Sequence, residues 1–134
     1  MNPRLLLDTH VLVRWLAEPR KLSREQLRVL REAVRRSEPV AISAISLLEM
    51  AVLSTLGKVK FGLPLDEFFG AIEAHPLLHV LPLTFQVALE VAGLGTLLMD
   101  PADRTIVATA RIRRLRLVTS DQRITESGLV AFID

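Results

Sequence analysis

The chain contains no cysteine, no tyrosine and only one tryptophan among its 134 residues. Without cysteine it cannot form disulfides, use a thiol nucleophile or bind a metal through thiolates. The scarcity of aromatic side chains argues against the stacking platform with which many proteins bind single-stranded nucleic acid. No apolar run reaches the roughly 18 residues that a membrane span needs, and Asp8 follows the N-terminal leucines too early for a signal peptide. We therefore expect a cytoplasmic protein.

Apolar residues, by contrast, are abundant. They make up 50% of the chain, and the mean hydropathy is +0.36. The length suits one domain, and we expect residues 1–134 to form it. This much apolar surface predicts contact with a second copy or with a partner protein. The net charge of +2 indicates only a mild preference for anionic partners.

Short apolar runs alternate with helical patterns along the whole chain. Strands are predicted at 4–8, 39–43, 77–83, 115–121 and 129–133. Capping residues mark the starts of three of the intervening helices: Ser23, Thr84 and Asp100. The alternation predicts an α/β sandwich around a mostly parallel sheet.

The segment "ISAISLLEMAVLSTLG" (42–57) is almost wholly apolar, yet it contains one charge, Glu49. Helical spacing places Val52 and Leu56 on the same face, so we expect Glu49 to be buried. A buried lone carboxylate is costly unless it is neutral, paired with a cation or bound to a metal. The alternative to a metal is a salt bridge to one of two arginines, Arg104 or Arg111.

Three other acids occupy positions from which they can meet Glu49. Asp8 closes the first predicted strand, Asp121 follows the fourth, and Asp103 lies on the apolar side of the helix in "DPADRTIVATA". Ligands of open α/β sheets bind beyond the carboxyl ends of the strands, so the four acids are expected to converge there. Each acid taken singly also suits a cap, a turn or a helix dipole. Capping does not readily explain why all four acids occupy positions from which they can meet.

Four carboxylates in one cleft raise one another's pKa unless a cation compensates their charge. With no cysteine and three scattered histidines, the candidate ligands are all oxygen atoms, which favours Mg²⁺ or Mn²⁺. Such ions suit phosphate chemistry because they activate water and stabilise charge on a leaving oxygen. We therefore predict that a divalent ion is held by the four acids: Asp8, Glu49, Asp103 and Asp121. Asp100 is interpreted as a helix cap.

Four motifs carry a family resemblance: "LLLDTHVLVRWL", "ISAISLLEMAVL", "MDPADRTIVATA" and "LVTSDQRI". In this order, over nearly the whole chain, they resemble the PIN domain family, and within it the VapC-type toxin ribonucleases. The resemblance implies a PIN-like three-layer sandwich with a five-stranded parallel sheet, in the order 3-2-1-4-5, flanked by helices. It implies a metal-dependent endoribonuclease, the toxin of a type II toxin–antitoxin system. It further implies a homodimer and a cognate antitoxin whose tail blocks the acidic site.

The same resemblance assigns roles to individual residues. Asp8 and Asp103 would be the main metal ligands, and Glu49 and Asp121 would complete the site directly or through water. Contacts to these groups or to phosphate are implied for three hydroxyls: Thr9, Ser43 and Thr119.

Two other classes of function compete with this interpretation. One is a noncatalytic PIN-like module that binds RNA or protein, against which the complete set of acids counts. The other is phosphotransfer on a different α/β scaffold. A haloacid-dehalogenase-like phosphatase needs an aspartate where this chain has His10, and a response-regulator receiver needs one at the end of the third strand, where "HVLPL" has none.

Two groups of arginines are open to two interpretations, as solvated helix faces or as contacts for RNA phosphates. They are Arg24, Arg28, Arg31 and Arg35, and then Arg111, Arg113, Arg114 and Arg116. Single residues are also assigned. His10 is interpreted as an orienting residue rather than a general base, Arg104 as structural, and Trp15 as a core or dimer contact.

Overall fold

The computed structural model describes residues 1–58 and 61–134. Its elements alternate in this order: β1 (Leu5–Leu7), α1 (Thr9–Ala17), α2 (Arg24–Arg35), β2 (Val40–Ser43), α3 (Ala44–Thr55), α4 (Leu65–Ala74), β3 (Leu78–Leu81), α5 (Phe85–Gly93), α6 (Pro101–Arg113), β4 (Arg116–Val118), α7 (Gln122–Thr125) and β5 (Phe132–Ile133). A 3₁₀ helix, Pro19–Lys21, joins α1 to α2. The strands are shorter than predicted, and neither α7 nor the 3₁₀ helix was expected.

The strands form one parallel sheet in the order β3-β2-β1-β4-β5, which confirms the predicted fold. The central strand β1 pairs on both sides, with Leu6 opposite Ala41 of β2 and Leu117 of β4. The chain leaves β1 toward β2 and later returns to pair β4 with the other side of β1. The strand order therefore reverses between β1 and β4, and a crevice at the carboxyl ends of these strands is the expected ligand site.

Two apolar cores lie on opposite faces of the sheet, as successive strand residues point to opposite sides. Leu7 belongs to the core beneath α1, α2 and α4, whereas Leu6 belongs to the core beneath α5 and α6. Trp15 packs partly buried against the first core and contacts the His75 ring, with centroids 5.8 Å apart. The layers are thus helices, sheet and helices.

The predicted helix starts are confirmed by their hydrogen bonds. Ser23 and Gln26 form a capping box at α2, and Thr84 accepts the N–H of Val87 at the start of α5. Asp100 caps α6, whose first residue is a proline. Among the described residues, none of the helices is both long enough and apolar enough to cross a membrane.

The expectation that Glu49 lies on a buried face of α3 was wrong. The buried side chains of α3 are Ser46 and Met50, whereas Val52 and Leu56 are 49% and 58% exposed. Glu49 itself is half-buried. Helical spacing identified its neighbours correctly, but that side of α3 faces a cleft and solvent instead of the core.

Candidate active site

A cleft of about 510 Å³ lies where the ends of β1 and β4 meet helices α1, α3 and α6. It brings together the four predicted acids and the helix cap Asp100. These carboxylates are Asp8, Glu49, Asp100, Asp103 and Asp121. Four cationic side chains line the same cleft: Arg14, Lys21, Lys58 and Arg123. The acids therefore meet at the predicted edge of the sheet, among cations that the sequence had not singled out.

Asp8 is buried and held from two sides. Its Oδ1 accepts the N–H of Thr9 at 2.8 Å, which caps α1. Its Oδ2 accepts the hydroxyl of Thr119 at 2.7 Å. The Thr119 oxygen in turn accepts the N–H of Asp121 at 3.0 Å. Thr119 thus fixes two of the acids relative to each other.

Asp103 is only 8% exposed and lies in the first turn of α6. Its N–H donates to Oδ1 of Asp100 at 3.0 Å, so Asp100 is a helix cap as predicted, although it also lines the cleft. Burial raises the pKa of Asp103 to about 7, and the charges of Asp100, Asp8 and Asp121 add to this shift. The carboxylates are therefore close enough to repel one another.

Glu49 approaches the acids from α3. Burial raises its pKa, the Thr9 hydroxyl partly offsets that shift, and the negative charges of Asp8 and Asp100 add to it. Neither arginine that could have neutralised it does so. Arg104 donates to the carbonyls of Val91, Gly95 and Leu98, and Arg111 pairs with Glu90 at 2.9 Å. The salt-bridge alternative for Glu49 is therefore excluded, and the structural assignment of Arg104 is confirmed.

Asp121 caps the short helix α7 and is paired with Arg123. Burial raises the pKa of Asp121, but hydrogen bonds from the Arg123 side chain and backbone, together with the guanidinium charge, lower it overall. The Nη2 of Arg123 lies 3.0 Å from Oδ2 of Asp121 and 3.5 Å from Oδ2 of Asp103. Sequence reasoning missed this cation. The signal that could have found it is its position in the sequence, two residues after the site acid Asp121.

Both ring nitrogens of His10 are engaged. Its Nε2 accepts the N–H of Ser120 at 2.9 Å, so Nδ1 carries the proton and faces Oδ2 of Asp8 at 3.5 Å. Burial lowers the pKa of His10, and this outweighs the opposing charge of Asp8. A neutral imidazole with its lone pair already used orients the loop after β4, which supports the predicted orienting role.

A buried polar chain supports this loop from behind. Gln26 is fully buried, and its Nε2 donates to Ser120 Oγ at 2.8 Å. Thr9 Oγ1 lies 2.8 Å from Ser46 Oγ. Ser43, for which a contact to the site groups or to phosphate was predicted, caps α3 by accepting the N–H of Ile45, and it is not among the described residues that line the cleft. Ser46, one turn further along, makes the contact with Thr9.

The two predicted arginine groups lie elsewhere. Arg28 and Arg35 are paired with Glu25 and Glu32 along the exposed face of α2, and Arg111 is paired with Glu90. Among the described residues, no member of either group lines the cleft. The interpretation of these runs as solvated faces fits this geometry better.

The donor set fits a hard divalent cation, because six carboxylates, Glu18 among them, line one cleft and the pKa of Asp103 is raised in part by the negative charges of its neighbours. Yet no three of the described His, Asp or Glu side chains are grouped as they would be around an ion. Binding an ion here would therefore require the carboxylate oxygens to come closer together than they stand.

Comparison with known proteins fits this architecture. The family model of the PIN domain matches residues 5–128. This chain belongs to the PIN domain family. A relative from Mycobacterium tuberculosis, Ribonuclease VapC22, is 33% identical to this PIN domain over 121 residues, which cover 90% of this chain and 88% of that protein.

Two solved structures share the fold at lower sequence identity. FitAcB from Neisseria gonorrhoeae matches this PIN domain with a TM-score of 0.70 and 23% identity, covering 97% of this chain and 96% of that one. VapBC2 from Rickettsia felis, solved with a DNA fragment from its promoter, matches with a TM-score of 0.71 and 16% identity, covering 96% of both chains. At these identities, the two similarities show that the fold is shared and no more.

Proposed function

We propose that this PIN domain is a metal-dependent endoribonuclease and the toxin of a type II toxin–antitoxin system. The observation that carries the proposal is the convergence of the four acids in one cleft at the carboxyl ends of β1 and β4. The relative named Ribonuclease VapC22, which aligns over 90% of this chain, supports the ribonuclease assignment.

The residues of the cleft have different roles in the proposed reaction. A bound Mg²⁺ or Mn²⁺ supplies a positive charge that activates water and stabilises the leaving oxygen. Asp8 and Asp103 would be its main ligands, and Glu49 and Asp121 would complete the site directly or through water. Thr119 holds Asp8 in place, and the Thr9 hydroxyl lowers the pKa of Glu49, opposing the effect of burial. His10 orients the loop that carries Asp121 and does not itself take a proton.

The cationic part of the cleft suits a nucleic acid backbone. Arg14, Lys21, Lys58 and Arg123 line the same cavity as the acids. Cations next to the acids would hold phosphates on either side of the bond to be cut, while the acids hold the metal. Contacts of this kind are independent of base sequence, so they position the strand and leave the choice of target to other features of the RNA.

Two protein partners are part of the proposal: a cognate antitoxin and a second copy of the chain. Solved neighbours of this fold include VapBC assemblies and a toxin–antitoxin complex from Klebsiella pneumoniae. The structure exposes several large apolar side chains that a protein partner would cover. They are Leu48, Val52 and Leu56 of α3, Phe85 and Leu89 of α5, and Leu97 and Met99 of the following connection.

The test is RNA cleavage by the purified chain with Mg²⁺ or Mn²⁺, in the presence and absence of EDTA. Asp103→Asn should abolish cleavage, and EDTA should stop the wild-type reaction. Asp66→Asn is the matched control, because Asp66 is an exposed acid in the first turn of α4 and should be dispensable. Cleavage that survives both EDTA and Asp103→Asn would refute the proposal. RNA binding without any cleavage would support the noncatalytic alternative.

A further inference from the structure

Arg123 is the one cation among the described residues that forms ion pairs with two of the four acids. Its Nη2 lies between Oδ2 of Asp121 and Oδ2 of Asp103, at 3.0 and 3.5 Å. Its Nε also contacts Oδ1 of Asp121, at 3.3 Å. The guanidinium therefore places a positive charge between the end of β4 and the start of α6, where the proposed ion needs the same oxygens.

We propose that Arg123 is a resident counter-ion of the acidic cleft, which a divalent cation displaces and which then binds the phosphate of the RNA. This inference rests on the proposed function. It gives one side chain two successive roles: neutralising Asp103 and Asp121 before the metal enters, and contacting the substrate afterwards.

The position of Arg123 favours displacement of its guanidinium from the two acids. Its side chain is 72% exposed, whereas those of Asp103 and Asp121 are 11% and 19% exposed, so the guanidinium can leave both carboxylates for water without first being uncovered. A divalent ion brings twice the charge to the same oxygens. The backbone bond that ties Arg123 to Asp121, 2.9 Å from N to Oδ1, holds the residue beside the cleft after the guanidinium leaves.

The chemistry of guanidinium explains the second role. Its planar set of N–H donors matches the two free oxygens of a phosphodiester as well as it matches a carboxylate. Arg123 already lines the cleft, so its side chain need only turn from the acids toward a bound strand. The other cations of the cleft are placed differently. Lys21, for example, is paired with Glu18 at 2.8 Å, and neither residue is one of the four acids.

The test is calorimetric titration of Mn²⁺ alone into the full chain and into Arg123→Met. Removal of the competing charge should make Mn²⁺ bind about three- to tenfold more tightly. The Mn²⁺ affinity of Arg123→Lys should lie between those of the two proteins, because the lysine ammonium keeps the positive charge but lacks the planar set of N–H donors of a guanidinium. The matched control is Arg116→Met, which removes an equal charge at the other end of β4 and should leave the affinity within about twofold.

The second arm is RNA cleavage at saturating Mn²⁺. Arg123→Met should raise KM at least about threefold and change kcat less, since the substrate contact is lost while the acids remain. Tighter metal binding together with weaker substrate binding is a signature that simple loss of structure does not produce. Circular dichroism of each variant checks the fold.

The outcomes separate the two proposals. If the wild-type chain binds Mn²⁺ and cleaves RNA but Arg123→Met has unchanged or weaker Mn²⁺ affinity, only the counter-ion role is overturned. If Mn²⁺ affinity rises and KM stays constant, the phosphate role is overturned. If the folded wild-type chain binds no Mn²⁺, this inference and the proposed function fail together.

Discussion

The hydroxyl of Thr119 donates a 2.7 Å hydrogen bond to Oδ2 of Asp8, joining two residues that are 111 positions apart in the sequence. The bond joins the end of β4 to the end of β1, the two neighbouring strands between which the strand order reverses. Because the same oxygen accepts the N–H of Asp121, one small side chain sets the relative position of two site acids.

Replacement of this hydroxyl should lower both the rate of RNA cleavage and the free energy of unfolding. Thr119→Val keeps the shape of the side chain but leaves a buried carboxylate oxygen without its donor. We expect RNA cleavage to fall about 10- to 100-fold and the free energy of unfolding to fall by about 1–3 kcal/mol. Thr109→Val is the control, because this buried hydroxyl donates to the carbonyl of Thr105 within α6 and lies outside the cleft. Equal losses of activity in both variants would contradict the assignment.

Ionisation of Asp103 should lower the stability of the metal-free protein as the pH rises from about 5 to about 7.5. The pKa of Asp103 is about 7 in the folded chain and 3.8 in its ordinary state. Between these values the folded state binds the proton more strongly than the unfolded state, so each rise in pH costs stability, by at most about 1.4 kcal/mol per unit for one proton.

Thermal unfolding in EDTA across this pH range measures the effect. Asp103→Asn cannot ionise and should flatten the slope, whereas Asp66→Asn should keep it. The difference between the wild-type and Asp103→Asn slopes isolates Asp103, because the lowered pKa of His10 acts on both proteins alike. Equal slopes in the two proteins would show that Asp103 is not held in its protonated form by burial.

Exchange of His10 for asparagine should leave much of the cleavage activity. The Nε2 lone pair of His10 already accepts the N–H of Ser120, so the imidazole acts on the loop rather than on the substrate. An asparagine side chain can offer a carbonyl oxygen to the same donor. The rate of RNA cleavage under saturating Mg²⁺ is the measurement. A loss as complete as that caused by Asp8→Asn would instead make His10 a catalytic base.

The salt dependence of RNA binding should follow the cations of the cleft. The double variant Arg14→Gln and Lys58→Gln should flatten the slope of log affinity against log salt by about one to two. The control is the double variant Arg28→Gln and Arg35→Gln, which removes the same charge from an exposed helix face paired with glutamates. Binding measured in EDTA keeps the RNA intact. If the control also flattens the slope, α2 contacts RNA.

Much of the fold was accessible from sequence because its signals are local. A capping residue such as Ser23 acts on atoms only three positions away, and an apolar run ended by Asp8 marks a strand and its end. The four-residue helix α7 is too short for periodicity to reveal. The buried chain from Gln26 to Ser120 escaped notice because it spans 94 positions.

The site was predictable to the extent that its residues follow from strand order. Once β1 and β4 are neighbours, Asp8 and Asp121 must approach each other. Helical spacing found the face of Glu49, but it could not tell whether that face meets core or cleft, because this depends on what packs opposite α3. The position of Arg123 beside Asp103 depends on the approach of α7 to α6, which no local pattern records.

Three of the cleft carboxylates also begin helices: Asp8 at α1, Asp100 at α6 and Asp121 at α7. A toxic enzyme is often inactivated by substitution so that it can be overproduced. A substitution at one of these three positions would also weaken the start of a helix. Glu49 and Asp103 lie inside their helices and start none. They are therefore the positions at which chemistry can be switched off while the scaffold, and any surface that an inhibitor protein recognises, is left intact.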